Sequence, residues 1–370
     1  MAVQRITQLQ LGLMFILFHY SSATGFLIGP LTGVASYQGW AVLFASAAGG
    51  WAIGTAAAAA ARRLPADDAG GRLGRWVHGA YSLLCGLFCL HLVAYNLREY
   101  DDFMVHFYLP NTPEWVISLL FGATISIAAR SGLEAIARCG SGFFFITAAS
   151  VLLLPPLVAR ELEYDRIVAL ATHWDASGMT KGIVKTTPWF GETFIVFFLL
   201  PQLREADKTA RTLAWSLGCG AVALAIKFVL CMLLFGSDVT SHFTYPALEL
   251  VRYIRLGDFL ENLDPLMVAI WTTALFVKMS LLLYVVLLIA SRLLRLRDHR
   301  PLSLSIGALA VGMSLHLASN SAELQHAFES SWAAFAYTVQ LVPILYWAFL
   351  AWRKRNGGRP GGRRTNPGSA

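Results

Sequence analysis

The stretch TPWFGETFIVFFLLP (Thr187–Pro201) places a proline, a glycine and a carboxylic acid at the head of an apolar run. Proline lacks a backbone N–H and glycine weakens a helix, so a span entering here is interrupted around Pro188, Trp189, Phe190, Gly191 and Glu192. The stretch LGLMFILFHYSSATGFLI (Leu11–Ile28) is broken in the same manner, by Ser21, Ser22, Ala23, Thr24 and Gly25. Inside a bilayer, backbone N–H and C=O groups released from a helix must line a cavity or meet a ligand. Two such breaks at corresponding places in the halves of one chain mark a small-molecule site near the midplane.

The rest of the sequence supplies the membrane. Of 370 residues, 56% are hydrophobic and only 14% charged, and the mean hydropathy is +0.56. A soluble domain carries roughly 25% charged residues, so the chain reads as an all-α polytopic membrane protein. The net charge of +7 does not point to nucleic acid, because Lys and Arg sit in short loops between apolar runs and in the tail. Against the roughly 20 apolar residues a bilayer requires, ten spans are predicted. They cover 8–30, 38–61, 76–97, 113–129, 139–159, 187–202, 211–235, 265–291, 302–319 and 332–352.

Arg62, Arg130, Arg138, Arg204, Lys208, Arg211 and Arg292 all fall on one side of this arrangement, with Arg5 and the C-terminal Arg353 to Arg364 cluster. That side is predicted to be cytoplasmic. The opposite loops are expected to carry the acids Glu99, Asp101, Asp102 and Glu114. Two of them are long, with short helices predicted at Asp165 to Thr172 and Tyr245 to Leu256, either as lids and docking surfaces or as interfacial packing. Residues 1–356 form one bundle, and the Gly-, Arg- and Pro-rich tail 357–370 is expected to be disordered beside anionic lipid headgroups.

Ten spans divide as five plus five, and since five is odd the second half enters the membrane inverted. Interrupted spans one and six then open the two halves. This is the layout of the amino acid, polyamine and organocation superfamily, with its sodium-coupled amine transporter-like fold. A pocket is expected between spans one and six, walled by spans three and eight. The half-helix ends at Thr24, Gly25 and Gly191 would take a carboxylate, and Ser22 and Thr24 would add hydroxyls. Ala23, Tyr95, Trp189, Phe190, Thr272 and Phe276 complete the candidate lining.

Each candidate carries two readings. Gly25 and Gly191 either unwind their helices or allow close packing, as Gly50 and Gly54 do in span two. Glu192 is costly in a membrane and serves a ligand ammonium, a proton, or a structural pairing. Lys278 is expected to take the place of the coupling cation of sodium-driven proteins with this layout, and Lys227 to be a snorkelling or buried structural charge. His19 and His91 read as core histidines or as a proton relay, the first reading favoured, and Trp189, Phe190 and Tyr95 either cap the pocket or pack. The five cysteines, Cys85, Cys89, Cys139, Cys219 and Cys231, form no disulfide or metal pattern. No hydrolase, metalloprotease or P-loop motif is present, so neither catalysis nor a cofactor or metal is expected.

Several segments carry a family resemblance. RSGLEAIAR (Arg130–Arg138), TPWFGETFIVFFLLP (Thr187–Pro201), LPNTP (Leu109–Pro113), TGFLIGP (Thr24–Pro30) and Tyr245 to Tyr284 together resemble bacterial spore germination proteins. The likeness is to the permease-like B subunit of nutrient germinant receptors. The chain departs from that pattern at Asn262 and Asp264, where Arg and Glu are common, and at Ala23, where Gly is. The resemblance implies a receptor subunit in the spore inner membrane that works with A and C subunits. It would bind an amino acid-like nutrient and trigger germination; the alternative is an amino acid secondary transporter.

Overall fold

The computed structural model of the chain describes residues 5–25, 27–63, 71–254, 263–318, 323–324 and 332–357. Among these residues the structure is helical, with no strand and a single isolated bridge between Ile6 and Leu203. The helices are α1 (Gln8–Gly25), α2 (Ile28–Ala35), α3 (Gly39–Arg63), α4 (Gly71–Phe107), α5 (Glu114–Ser131), α6 (Leu133–Val158) and α7 (Ile167–Thr172). They continue as α8 (Ala176–Gly191), α9 (Val196–Leu199), α10 (Thr209–His242), α11 (Pro246–Arg252), α12 (Asp264–Leu293), α13 (Ser303–His316) and α14 (Trp332–Gly357).

Seven helical stretches among the described residues are long and apolar enough to cross a membrane: Ile28–Arg62, Trp76–Phe107, Leu133–Val158, Ala176–Gln202, Ala206–His242, Asp264–Leu293 and Trp332–Phe349. Helices α1, α5 and α13 stand at predicted spans one, four and nine. Leu119, Leu120, Phe145, Leu152, Leu153, Leu304, Leu309 and Phe349 point outward and exposed, as side chains facing hydrocarbon do. The five cysteines are free, and no group of candidate metal ligands occurs among the described residues.

Helices α1 and α12 occupy the centre. The first packs against α10, α12 and α6, and the second against α4, α1, α6 and α5, while α3 lies between α8, α10 and α14. Small residues set these approaches. A Cβ on Gly50 of α3 would stand 2.6 Å from the carbonyl oxygen of Phe190, and one on Gly54 would stand 2.8 Å from Thr193 Oγ1. The expectation of packing glycines in span two is met at both.

Two expectations change. The third span does not end at residue 97; α4 runs on to Phe107 and carries Glu99, Asp101 and Asp102 into the interior instead of a loop. Partnering makes this tolerable for Asp101, which accepts a hydrogen bond from Ser118, while Arg98 is paired with Glu114. The sixth span begins eleven residues earlier than its apolar run, at Ala176, because Asp175 caps the helix by accepting from Ser177 and Gly178 N–H, both at 2.9 Å. The short helix near residue 250 has the buried face expected of a packing element, with Pro246, Ala247, Leu248, Leu250 and Val251 of α11 buried and Arg252 exposed. The helix near residue 170 is present, as a 3-10 turn and α7. The tail 358–370 and Asn262 lie outside the described residues.

Helix α10 kinks at Gly236, whose φ of 79° is open chiefly to glycine. The carbonyls freed by the kink find other donors. Arg166 Nη1 donates to Leu234 O at 2.9 Å and Leu233 O at 3.3 Å, and the Glu163 N–H donates to Leu233 O at 3.1 Å. At the Arg-rich end the chain start is tied to the end of the sixth span. Ile6 N–H donates to Gln202 O (3.1 Å), Arg204 N–H donates to Ile6 O (2.9 Å), and Tyr284 Oη donates to Gln202 Oε1 (2.6 Å). The start of α1, the segment after α9 and α12 are thereby tied together at that end.

Candidate functional site

Both predicted interruptions appear, each shifted to the edge of its small-residue cluster. Helix α1 persists through Ser21 and Thr24 to Gly25, and a turn at Leu27 separates it from α2. Trp271 of α12 seals the break: its Nε1 donates to the Ser21 carbonyl at 2.8 Å, near the helix end where intrahelical partners run out. A Cβ on Gly25 would lie 3.0 Å from Trp271 Cζ2 and 3.5 Å from Glu99 Oε1. In the sixth span α8 holds through Pro188 to Gly191, then tightens into a 3-10 turn over Glu192–Ile195 before α9. Thr193 Oγ1 anchors the turn by donating to Gly50 O at 2.8 Å.

At the start of that turn stands Glu192, 0% exposed, with its Oε2 2.8 Å from the Nζ of Lys278, also 0% exposed. Lys278 lies 5.1 Å from the Phe18 ring and 5.4 Å from the Trp189 ring. A buried pair of this kind repays its desolvation only in good geometry, and the flanking aromatic faces add cation–π attraction. His19, on the next residue of α1, stacks on Phe190 at 5.4 Å. Four elements thus converge: the end of α1, the middle of α4, the α8–α9 junction and the middle of α12.

Towards the opposite end from the Arg-rich loops lies a cavity of about 240 Å³, bordered by Leu27, Gly29, Leu31, Gly182, Thr186 and Trp332. Trp332 borders this cavity and packs on the converging helices, its ring tilted against that of Trp189 at 5.2 Å and stacked with that of Tyr95 at 6.2 Å. Outside the spans, burial and the adjoining Asp264 carboxylate push the Tyr108 phenol up, which keeps it a donor to Asp264 Oδ2 at 2.7 Å.

The structure brings Gly25, Tyr95, Trp189, Phe190, Glu192 and Lys278 into this region. Ser22, Ala23 and Thr24 lie on its α1 edge, but their side chains are outside the described residues. Gly191 faces elsewhere: a Cβ there would strike Gln340 of α14 and come within 3.0 Å of Ile53, and Gln340 Nε2 donates to the Pro188 carbonyl at 2.7 Å. Thr272 donates to Val268 O at 2.8 Å and neighbours Tyr100, and Phe276 packs on Phe143 of α6 at 6.2 Å. Helical rotation explains both, since about 100° per residue turns positions 272 and 276 away from the Lys278 face. Lys227 is likewise outside the cluster, with its Nζ 4.2 Å over the Tyr20 ring.

Glu99, Trp271 and Trp332 were missed as site residues. Glu99 sits one turn after Tyr95 on α4, and that i, i+4 spacing was the available signal; the acid-rich string REYDD around it instead reads as a loop.

A family model described as spore germination protein matches residues 5–322. Among curated relatives, YfkT of Bacillus subtilis (strain 168) is 28% identical over 208 residues, 55% of this chain and 56% of its own length. Spore germination protein KB of the same strain is 22% identical over 256 residues, 68% of each chain. Spore germination protein YndE, also of that strain, is 23% identical over 289 residues, 76% of this chain and 77% of its own. The chain thus spans little more than half the length of the first of these. The structure is similar to that of Mhp1, a nucleobase-cation-symport-1 family transporter, in a closed conformation with bromovinylhydantoin bound. The TM-score is 0.65 over 93% of this chain and 78% of the other, at 14% identity, which is a likeness of fold. With the family match extending over most of its length, the chain belongs to the spore germination protein family, as an all-helical multi-pass membrane protein.

Proposed function

We propose that this chain is the nutrient-sensing B-type subunit of a spore germinant receptor, seated in the spore inner membrane with A and C subunits. It has ten spans as a five-plus-five inverted repeat, and it binds a small amino acid-like ligand between interrupted spans one and six. The family match and the transporter-like fold support the class. The observation that carries the reading is the buried Glu192–Lys278 pair at the sixth-span break. An inverted-repeat transporter places its ligand and coupling ion at such breaks. A covalently tethered ammonium there is a cation that cannot be carried across, which suits a sensor better than a sodium-driven pump. The cavity beside Trp332 is the approach from the outer side, and the Ile6–Gln202–Tyr284 ties close the cytoplasmic side.

Thermal unfolding of the purified protein against the common amino acids tests the binding, with uptake into proteoliposomes measured in parallel. Stabilisation without uptake is the expected result. Substrate-coupled uptake would replace the sensor with a transporter, and no stabilisation by any compound would remove the ligand site.

A further inference from the structure

Glu99 lies at the first-span break with no counter-ion in contact with its carboxyl group among the described residues. It is 4% exposed, on α4 one turn beyond Tyr95, and its Oε1 stands 3.5 Å from the Cβ position of Gly25. Its Oε2 is buried and has no hydrogen-bond partner. Among the described residues no cation lies within ion-pair distance of it. The charged groups near enough to act on it are Lys278, whose Nζ is held by Glu192 at 2.8 Å, and Asp102, which adds a second negative charge. The interior around the breaks therefore holds more acid than base. An uncompensated carboxylate in such surroundings is strongly disfavoured, and a cation arriving beside it is correspondingly favoured.

The helix end works in the same direction. A helix end leaves its last carbonyls short of intrahelical partners and carries the negative end of the helix dipole, and α1 ends at Gly25. They terminate next to the Glu99 carboxylate, so Glu99 and the α1 terminus form one negatively polarised wall. Glu192 differs, because its counter-charge is already supplied within the chain.

We propose that Glu99 binds the ammonium group of the ligand, and that the ligand class is a primary amine, with the common amino acids as its simplest members. The assignment rests on the small-ligand reading above and adds to it which residue recognises which group; the sequence alone had pointed to Glu192 for this role.

The test uses the full chain in nanodiscs, with thermal unfolding followed by tryptophan fluorescence. The probes are the common amino acids, each paired with the 2-hydroxy acid that replaces its ammonium by a hydroxyl. An amino acid that stabilises the parent is expected to do so where its hydroxy acid does not. Glu99→Gln, which keeps shape and removes charge, should weaken that amino acid by about tenfold or more, the size of a lost hydrogen bond to a charged group. Glu99→Asp should weaken it less. Since the carboxylate is unsatisfied without ligand, unliganded Glu99→Gln should unfold no earlier than the parent. A hydroxy acid that binds as well as its amino acid, or unchanged amino acid affinity in Glu99→Gln, overturns the assignment and leaves the pocket standing. No shift of the parent by any probe overturns both the assignment and the pocket.

Discussion

Removing either partner of the Glu192–Lys278 pair should destabilise the bundle measurably. Both side chains are 0% exposed, so Glu192→Gln leaves the Lys278 ammonium, and Lys278→Met leaves the Glu192 carboxylate, buried without its counter-ion. Breaking a buried pair on one side costs about 3–5 kcal/mol, whereas replacing both partners by neutral groups of similar volume is often close to neutral. For 370 residues, an unfolding entropy of about 2.1 cal/mol/K per residue converts that loss to a fall in Tm of roughly 4–6 °C. The double variant Glu192→Gln/Lys278→Met should recover most of it. Detergent-solubilised fluorescence size-exclusion after a temperature ramp reads all four proteins under one condition. The reasoning fails if both single variants match the parent, or if the double variant loses the sum of the two single losses, because then the charges do not depend on each other.

Four further outcomes can be measured. Gly50→Ala places a methyl against the Phe190 backbone and should cost about 1–3 kcal/mol. Gly142→Ala of α6 meets nothing within 4 Å and should be neutral or gain up to about 1 kcal/mol from helix propensity; the same temperature ramp compares them. Arg166→Ala strips the Leu233 and Leu234 carbonyls at the α10 kink of a charged donor and should cost about 1–3 kcal/mol, with hydrogen exchange rising first around Gly236; unchanged exchange there would show the kink is held otherwise. In a background with the exposed Cys139 and Cys219 replaced by serine, an impermeant maleimide applied to intact cells should label Glu161→Cys and spare Glu205→Cys; the reverse pattern would invert the topology.

The candidate site was legible where chain chemistry is local. Pro188, Gly191 and the Ser21 to Gly25 cluster announced two breaks, and the structure contains both, because a residue that cannot continue a helix weakens it wherever the helix packs. Each break nevertheless sits one to several residues later than its small residues. Thr193 bonding to Gly50 O, and Trp271 bonding to Ser21 O, show that partners distant in sequence choose where the freed backbone is caught. Gly191 illustrates the same limit: its neighbour is Gln340, nearly 150 residues away.

By itself the sequence determined that the chain is helical and membrane-embedded, with interruptions near Gly25 and Gly191. These follow from composition, apolar run length and backbone chemistry, all of which act within a few residues. Tertiary structure alone decided which charges face one another. Glu99, Asp101 and Asp102 look like a solvated acidic loop until α5 and α12 supply Ser118 and an enclosing wall. Glu192 looks like a ligand contact until α12 brings Lys278 to 2.8 Å. A carboxylate costs the same to bury whatever its position in the chain, and only the three-dimensional arrangement states whether a counter-charge is built in, as at Glu192, or left to be brought, as proposed for Glu99.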